Sequence, residues 1–223
     1  MRQCARGGHG FDGRGVAETP LAAPLVSALR ALIAWLDAST VRGVVIGGVA
    51  ASLLGRPRVT GDIGALVLVA GDDWDAFVAK GARFAIYPRR ADVIAFARRT
   101  RVLLLRHDPT GIDLDVSVAA LPFEYDIVTR GRRRRIAGLS VPMITPEDLI
   151  VMKAIAHRPR DIADIEGLRD VHPRLDRARI VRLVREFATI LEAPELVRDL
   201  ERILGPSQSR KRVARRKTSR RRR

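Results

Sequence analysis

The sequence predicts an α+β fold, in which strands and helices alternate through residue 143 and helices alone follow. In the first part, short apolar runs of strand length alternate with segments whose apolar residues recur at helical spacing. From Thr145 onward the pattern is helical throughout. Hydrophobic residues at 47% and charged residues at 30% are the proportions of a folded globular protein, so 223 residues can bury a sizeable core.

The elements of the first part can be justified in chain order. The first is an amphipathic helix over residues 21–37, because its leucines recur at helical spacing on one face. A short buried strand at 44–46 ends at Gly47 and Gly48, where a helix over 49–54 begins. The other elements predicted here are a strand at 63–70, a helix at 72–80, a short strand at 84–87, a helix at 88–99, strands at 102–106 and 112–118, a helix at 122–130, and a hairpin of strands at 132–136 and 139–143.

Helices make up the second part. Thr145 is predicted to cap the first of them, through residue 155, with Pro146 at the first helical position, where its missing N–H costs nothing. Helices at 159–169, 176–192 and 194–204 follow. We therefore divide the chain into a disordered leader at 1–19, an α/β core at 20–143, a helical part at 144–205 and a disordered tail at 206–223.

Much of the positive charge lies at the end of the chain. The formal net charge is +16, and the segment 209–223 holds ten basic residues and no acid, so the rest of the chain carries +6. We expect this Arg-rich tail to be disordered when free. Such a run is typical either of sequence-independent contact with phosphates or of a solvated terminus that has no partner.

Composition excludes several classes of protein. Cys4 is the single cysteine, which excludes an internal disulfide and favours the reducing cytoplasm. The longest uncharged stretch, 43–55, is too short to cross a bilayer, which takes about 20 residues. The start of the chain lacks the apolar segment of a signal peptide. We expect a cytoplasmic protein without a membrane partner.

The glycine pair is the first candidate site. Two glycines where a strand meets a helix, here Gly47 and Gly48, allow the backbone to approach a phosphate, with helix N–H groups directed at it. The same pair also suits a tight turn that needs only the conformational freedom of glycine.

Acids within apolar strands form the second candidate site. Asp62 precedes the strand at 63–70, and Asp113 and Asp115 lie two residues apart in a later strand, so the latter two share one face. Acids that point from adjacent strands to one face repel each other unless a cation lies between them. Mg²⁺ is bound by one or two carboxylates together with water and substrate phosphates. The pair Asp113/Asp115 is also compatible with a solvent-facing strand edge.

Four motifs in this order resemble those of the AbiEii-like toxins, a group with the nucleotidyltransferase fold (MNT-like). They are GG-x-A at 47–50, G-x-x-R-x-T-x-D-I at 55–63, D-V-S-V followed by Leu-Pro-Phe-Glu at 115–124, and E-D-L-x-x-x-K-x-x-A-x-R-x-x-D-x-x-D at 147–164. The resemblance covers residues 25 to 203. It implies a nucleotidyltransferase fold, with a short mixed β-sheet flanked by helices and followed by a helical C-terminal half.

The resemblance also implies an activity and a set of site residues. In that group a nucleoside monophosphate passes from a nucleoside triphosphate (NTP) to an acceptor hydroxyl, in some toxins the 3′ end of tRNA, with Mg²⁺ or Mn²⁺ as the cofactor and a cognate antitoxin as a partner. The motif positions assign the phosphate turn to Gly47 and Gly48, nucleotide contacts to Arg58, Thr60 and Arg158, metal and catalytic roles to Asp62 and Asp115, and a phosphate-facing catalytic role to Lys153.

One position departs from the group's pattern. Where its first strand carries D-x-D, this chain has Asp62-Ile63-Gly64, and glycine has no side chain with which to hold a metal. Two-metal catalysis clamps both the attacking and the leaving oxygen, so two acids normally share this task. Asp113 is a candidate substitute as a metal ligand, since it shares a face with Asp115.

Several basic residues admit a structural explanation beside the functional one. Lys153 can extend from a helix edge with its charge in water. Arg158, Asp161 and Asp164 have the spacing of a surface ion-pair row. The run 132–135, four arginines in a predicted strand, is compatible with a track for acceptor RNA or with an edge strand protected by charge.

Three functional hypotheses follow. The first is a toxin-type nucleotidyltransferase with an RNA acceptor such as tRNA. The second is a catalytically degenerate nucleotidyltransferase scaffold that binds nucleic acid or a partner, which Gly64 and the basic tail suggest. The third is transfer to a small molecule such as an aminoglycoside, a cationic acceptor that the basic composition disfavours.

Overall fold

The computed structural model describes residues 21–71 and 73–205. The predicted leader at 1–19, Cys4 and the tail at 206–223 lie outside these residues. Strands from the described part form one mixed sheet of seven in the order β3-β4-β5-β2-β1-β7-β6. They are β1 (Arg42–Ile46), β2 (Asp62–Leu68), β3 (Ile86–Pro88), β4 (Val102–His107), β5 (Ile112–Val118), β6 (Arg132–Ile136) and β7 (Leu139–Met143).

The sheet mixes parallel and antiparallel pairings, and this brings several strand ends together. β2 is antiparallel to β1 but parallel to β5, and β7 is parallel to β1. The last residues of β1, the first residues of β2 and the first residues of β5 therefore lie side by side at one end of the strands. The outer strands β3 and β6 are each antiparallel to a single neighbour.

Helices surround the sheet and then form the second part of the chain. The first part contains α1 (Ala23–Ala38), α2 (Gly47–Leu54), α3 (Trp74–Gly81), a short 3-10 helix (Ala82–Phe84), α4 (Val93–Thr100) and α5 (Pro122–Arg130). The second part contains α6 (Pro146–Ala156), α7 (Pro159–Val171), α8 (Arg177–Ile190) and α9 (Glu195–Leu204). The predicted α+β fold is confirmed.

The core has the side chains that the sequence patterns predict. Leu25, Leu29, Leu32 and Leu36 of α1 are buried. Trp35 stacks on Phe77 at 4.1 Å between ring centroids and donates a hydrogen bond from Nε1 to the Phe77 carbonyl at 3.0 Å. These contacts fix α1 and α3 against each other beside the sheet.

The caps and strand ends confirm most predicted boundaries. The Oγ1 of Thr145 accepts a hydrogen bond from the Asp148 amide, so Thr145 does cap α6. The predicted helix at 88–99 begins too early, because Pro88 still pairs with Leu105 in the sheet and the Arg89 amide donates to the Leu104 carbonyl. The helix itself starts at Val93.

Among the residues that the structure describes, none of the helices has both the length and the apolar character needed to cross a membrane.

Candidate functional site

The glycine turn joins the end of β1 to the start of α2. Gly47 has a φ of +68°, a left-handed conformation that glycine adopts readily, and this reverses the chain at the last strand residue. A Cβ added at Gly48 would lie 2.6 Å from Thr60 Oγ1 and 3.3 Å from a guanidinium nitrogen of Arg58. The turn is therefore packed directly against two of the predicted nucleotide-binding residues.

The loop that carries Arg58 and Thr60 is anchored by Ser52 of α2. The buried Ser52 hydroxyl donates to the Arg58 carbonyl at 3.0 Å and accepts from the Arg58 amide at 3.1 Å. Ser52 could not be found from the sequence, because a serine within a helix gives no signal of a loop that folds back onto it.

The three predicted acids lie on one face of two neighbouring parallel strands. Asp62 of β2 pairs in register with Asp113 of β5, and Gly64 pairs with Asp115. Ile63 and Leu114, which alternate with them, are fully buried on the opposite face. β5 is an internal strand of the sheet, between β2 and β4. The alternative that Asp113 and Asp115 lie on a solvent-facing edge strand is therefore wrong.

Asp62 is held loosely within this group. Its Oδ1 accepts a hydrogen bond from Thr60 Oγ1 at 3.1 Å, and its side chain is exposed. A hydrogen bond to Asp161 raises the pKa of Arg158, and the charge of Asp62 adds to this effect. Asp62 is therefore within electrostatic reach of an arginine that belongs to the helical part.

Two arginines that sequence reasoning missed hold the other acids. Arg89 donates a hydrogen bond from one guanidinium nitrogen to Asp113 Oδ2 at 2.7 Å and from another to Asp115 Oδ1. Arg106 of β4, which pairs with Asp113 across the sheet, donates to Asp113 Oδ1 at 2.8 Å. The cation expected between the acids is supplied here by the Arg89 guanidinium.

Asp113 and Asp115 differ in their protonation behaviour. Hydrogen bonds from Arg106 and the charge of Arg89 hold the pKa of Asp113 below its usual value. Burial raises the pKa of Asp115, and the charges of Asp62 and Asp113 add to the rise although Arg89 opposes it. An acid whose pKa is displaced upward by its neighbours is a candidate for binding a cation or accepting a proton.

Lys153 lies in the interior rather than at the site surface. Only 4% of it is exposed, and its Nζ donates to Asp161 at 2.7 Å and lies 2.8 Å from Asp164. Both alternatives drawn from the sequence are therefore wrong: Lys153 does not extend into water from a helix edge, and Asp161 and Asp164 are buried rather than part of a surface row.

The same two aspartates bind two arginines, Arg58 beside the glycine turn and Arg158 within electrostatic reach of Asp62. Asp164 accepts two hydrogen bonds from the Arg58 side chain, at 2.8 and 3.1 Å, and Asp161 accepts two from the Arg158 side chain, at 2.6 and 3.3 Å. Burial alone would raise the pKa of both carboxyls, but the hydrogen bonds from these arginines and from Lys153 outweigh it and lower the pKa. Lys153 thus fixes two carboxylates, and each of them orients one arginine.

The acids leave two carboxylate oxygens without a partner in residues 21–71 and 73–205. Within the described residues no group of three or more His, Cys, Asp or Glu side chains is arranged to hold a metal ion. The Oδ2 atoms of Asp62 and Asp115, however, have no hydrogen-bond partner in this part of the chain. Two such carboxylates with substrate phosphates are a usual ligand set for Mg²⁺. Gly64 removes the third carboxylate that a two-metal arrangement would use.

Comparison with known proteins identifies the architecture. The solution structure of the antibiotic-resistance factor ANT(2″)-Ia matches with a TM-score of 0.53 and 16% identity, covering 78% of this chain and 97% of that one. The crystal structure of the same factor with adenylyl-2″-tobramycin matches with a TM-score of 0.51 and 17% identity, covering 75% and 98%. This chain has the nucleotidyltransferase fold. At these identities the two structures show the fold alone.

A sequence match agrees with this fold. Residues 110–202 of this nucleotidyltransferase-fold chain match the family model described as "Nucleotidyl transferase of unknown function (DUF2204)". The matched segment contains Asp113, Asp115, Lys153 and Arg158, whereas the glycine turn and Asp62 precede it. A comparison with curated protein sequences gave no match.

Proposed function

We propose that this protein is a toxin-type nucleotidyltransferase that moves a nucleoside monophosphate from an NTP to a hydroxyl of an RNA acceptor such as tRNA. One observation carries the proposal: Asp62 and Asp115 lie on one face of adjacent parallel strands, beside the Gly47-Gly48 turn. Carboxylates, a phosphate turn and fixed arginines are the components that phosphoryl transfer requires, because its catalysis is largely positioning and charge neutralisation.

The triphosphate would lie at the glycine turn. The Gly48 backbone offers no side chain to keep a phosphate away, and the N–H groups at the start of α2 point toward this position. Arg58 lies beside it and Arg158 lies within electrostatic reach of Asp62, and their side chains are 34% and 52% exposed. Each is oriented by a buried aspartate, so little conformational entropy is lost when it meets a phosphate.

Asp115 would act on the acceptor. The acceptor hydroxyl oxygen attacks the α-phosphorus, a new P–O bond forms, and the bond to pyrophosphate breaks. The proton of the hydroxyl passes to solvent, and the negative charge of Asp115 beside the hydroxyl favours its departure. Lys153 touches none of these atoms and is assigned here as a positioning residue.

Asp62 and Asp115 are the residues that would hold Mg²⁺ or Mn²⁺. When bound, the cation neutralises charge on the triphosphate. Thr60 orients Asp62 for this role through its 3.1 Å hydrogen bond.

An RNA acceptor is favoured over a cationic antibiotic by charge. The chain carries a formal net charge of +16, which attracts a polyanion and repels an aminoglycoside. A toxin of this kind would act in the cytoplasm and be paired with an antitoxin, and an adjacent small reading frame whose product binds the protein would support that pairing.

The test is transfer of label from [α-³²P]-NTPs. The full chain is incubated with each NTP, Mg²⁺ and either total RNA or tobramycin. We expect labelled RNA from the natural chain and a loss of at least a hundredfold in rate with Asp62→Asn or Asp115→Asn. Asp75→Asn, at an exposed position on α3, is the matched control and should leave the rate unchanged. Label on tobramycin alone would refute the RNA acceptor.

A second function is supported by the arginines that already hold the acids. Because Arg89 binds both Asp113 and Asp115, and Gly64 replaces an acid, the chain could bind nucleotide or RNA without turnover. In that case Asp62→Ala would retain RNA binding, whereas removal of residues 209–223 would abolish it.

Gly64 distinguishes the two functions. A Cβ there would lie 3.3 Å from Ile46 Cγ1, a contact that a small side-chain shift relieves, and the backbone is not left-handed. If the natural chain transfers no label to any acceptor and Gly64→Asp does so while Gly64→Ala does not, the binding function replaces the enzyme.

A further inference from the structure

Strand β6 presents four consecutive arginines at the edge of the sheet. Arg132, Arg133, Arg134 and Arg135, here called the basic edge, are all exposed, and β6 pairs only with β7. Alternation along the strand sends Arg133 and Arg135 to the face that carries the acids and Arg132 and Arg134 to the opposite face, so the edge is positively charged on both sides.

None of these four charges has an acidic partner among the residues that the structure describes. Arg133 donates to the Ser140 hydroxyl and carbonyl, both at 2.9 Å. For the side chains of Arg132, Arg134 and Arg135 the described part of the chain supplies no hydrogen bond or ion pair. Elsewhere on this surface arginines are paired, for example Arg182 with Glu186 and Arg185 with Glu201. Four adjacent guanidinium groups with one neutral partner among them repel each other and are stabilised by an anion.

The basic edge begins at the end of the sheet that carries the candidate site. Arg132 pairs with Met143, which pairs with Val45, two residues before Gly47. From β2, which carries Asp62, the edge lies three strand intervals away, about 14 Å at the usual spacing. From Arg132 to Arg135 the run then leads away from the site.

The spacing of the charges suits the backbone of a nucleic acid. Arginines two apart on one face are separated by about 7 Å, comparable with the distance between successive phosphates of an extended strand. A linear row of planar guanidinium groups binds phosphates in a bidentate manner. A compact small molecule would not use a row of this length, and a cationic acceptor would be repelled by it.

We propose that the basic edge is the track along which the RNA acceptor enters, crossing the strand edge with its 3′-terminal hydroxyl at Asp115 and upstream phosphates on Arg135, on the face of the acids, and on Arg132 and Arg134, on the opposite face. This inference rests on the proposed function for the identity of the acceptor, but the track itself makes a separate prediction about affinity.

The experiment compares two variants of the full chain that lose the same charge. In the first, Arg132, Arg134 and Arg135 are changed to Gln, which leaves the Arg133–Ser140 contact intact. In the control, Arg182, Arg185 and Arg202 are changed to Gln, and these are arginines already paired with acids. Binding of fluorescently labelled tRNA is measured by anisotropy at several salt concentrations, NTP binding with a fluorescent ATP analogue, and association state by light scattering.

The edge variant should bind tRNA at least tenfold more weakly than the control, with a salt slope smaller by about 2 because three phosphate contacts are lost. Its affinity for the ATP analogue should not change. A corresponding triple Arg→Lys variant keeps the charge and should retain most of the tRNA affinity, which separates loss of charge from loss of folding.

Three results would overturn the track. The first is equal tRNA affinity and salt slope in the edge variant and the control. The second is self-association of the edge variant at unchanged tRNA affinity, which would make the arginines a protection of the strand edge. The third is competition by polyglutamate as strong as that by RNA of equal charge, which would indicate an acidic protein partner.

The track and the proposed function can fail independently. If no label is transferred but tRNA affinity depends on the basic edge, the proposed enzyme fails and the track stands. If label is transferred equally by the edge variant and the control, the track fails and the enzyme stands.

Discussion

Gly47 and Gly48 are adjacent in the sequence, yet the structure uses each for a different property of glycine. Gly47 has a φ of +68° and ample space, since a Cβ there would lie 3.8 Å from the nearest atom, the Gly64 Cα. Gly48 has an ordinary backbone, but a Cβ would lie 2.6 Å from Thr60 Oγ1. Substitution at Gly47 therefore strains the backbone, whereas substitution at Gly48 displaces Thr60, and with it Asp62.

The strain at Gly47 predicts a loss of stability. Gly47→Ala should lower the free energy of unfolding by about 1–2 kcal/mol, the cost of a left-handed backbone for a residue with a Cβ. The measurement is urea denaturation. Gly61→Ala is the control, because a Cβ there meets nothing within 4 Å, and its effect should stay within about 0.5 kcal/mol. Equal losses in both variants would contradict the explanation.

Arg89 is the residue whose importance only the structure reveals. It lies 24 residues before Asp113 in the sequence. It directly follows β3, and because β3 pairs with β4 and β4 with β5, its side chain reaches across β4 to Asp113 of β5. The glycine pair and the placed acids can be predicted from local pattern. A long side chain that reaches across a sheet depends on strand order, which local pattern does not determine.

Removal of Arg89 should increase the affinity of the empty site for a divalent cation. Arg89→Gln removes a positive charge that contacts both Asp113 and Asp115, so Mn²⁺ should bind several-fold more tightly, as measured by calorimetric titration without nucleotide. Arg106→Gln is the control, since Arg106 contacts Asp113 alone. A weaker affinity in Arg89→Gln than in the natural chain would show that the guanidinium orients the acids rather than competing with a metal.

At the scale of elements, α6 and α7 are joined by a buried ionic group. Lys153 of α6 binds Asp161 and Asp164 of α7, and Arg58, from the loop before β2, binds Asp164. The site loop and two helices of the second part therefore share one set of charges. Charges buried together are stabilised by each other, and loss of one leaves the others uncompensated.

Lys153→Met tests the contribution of this buried ionic group to stability. Breaking a buried ion pair by removing one partner costs about 3–5 kcal/mol, so the free energy of unfolding at pH 7 should fall by this amount. The pKa values of Asp161 and Asp164 are lowered, so their contribution to stability is present above an unfolded pKa of about 3.9 and is lost as the pH falls through the lowered values.

The pH profile separates a buried ion pair from simple packing. Burial by itself raises the pKa of Asp161 and Asp164, and without Lys153 less positive charge opposes this rise. Part of the stability that is lost at acid pH should therefore be lost at a higher pH in the variant. Urea denaturation between pH 3 and 8 measures it. A variant with the natural pH profile and a small, constant loss would contradict an ionic role.

Element boundaries were predictable where a turn or cap gave a local signal. The strands at 112–118, 132–136 and 139–143 and the helix at 122–130 have the predicted limits, set by the turn at Gly111, by Gly138 and by Pro122. The helix at 88–99 had no such signal at its start. There the pairing of β3 with β4 holds residues 88 and 89 extended against their helical pattern.

For the whole molecule, the two parts of the chain are joined at α2 and α7. Gly167 of α7 packs against the loop that follows α2, and a Cβ added there would lie 3.1 Å from the Arg56 amide nitrogen. His172 Nε2 lies 2.6 Å from the Leu54 carbonyl, and Arg56 pairs with Asp170. The α/β part supplies the glycine turn, the acids and Arg58, and the helical part supplies Arg158 and the two aspartates, Asp161 and Asp164, that orient these arginines. A complete site therefore requires both parts to be docked.

Gly167→Leu should separate these parts. A larger side chain would press on the Arg56 backbone, which cannot move like a flexible side chain, at a cost of about 1–3 kcal/mol. Both tryptophans, Trp35 and Trp74, lie in the α/β part, whereas circular dichroism at 222 nm reports helices of both parts. In the natural chain the two signals should change together in urea, as for a single cooperative unit.

In Gly167→Leu the dichroism should begin to fall at lower urea than the tryptophan fluorescence, because the helical part loses its support first. Affinity for the fluorescent ATP analogue should fall with it, since Arg58 and Arg158 no longer share a fixed position. Ala163→Leu, at an exposed position of the same helix, is the matched control and should change neither signal. If the two signals of Gly167→Leu stay coincident at the natural midpoint, docking of α2 on α7 is not what makes the molecule one unit, and the buried Lys153 group is left as the connection between its parts.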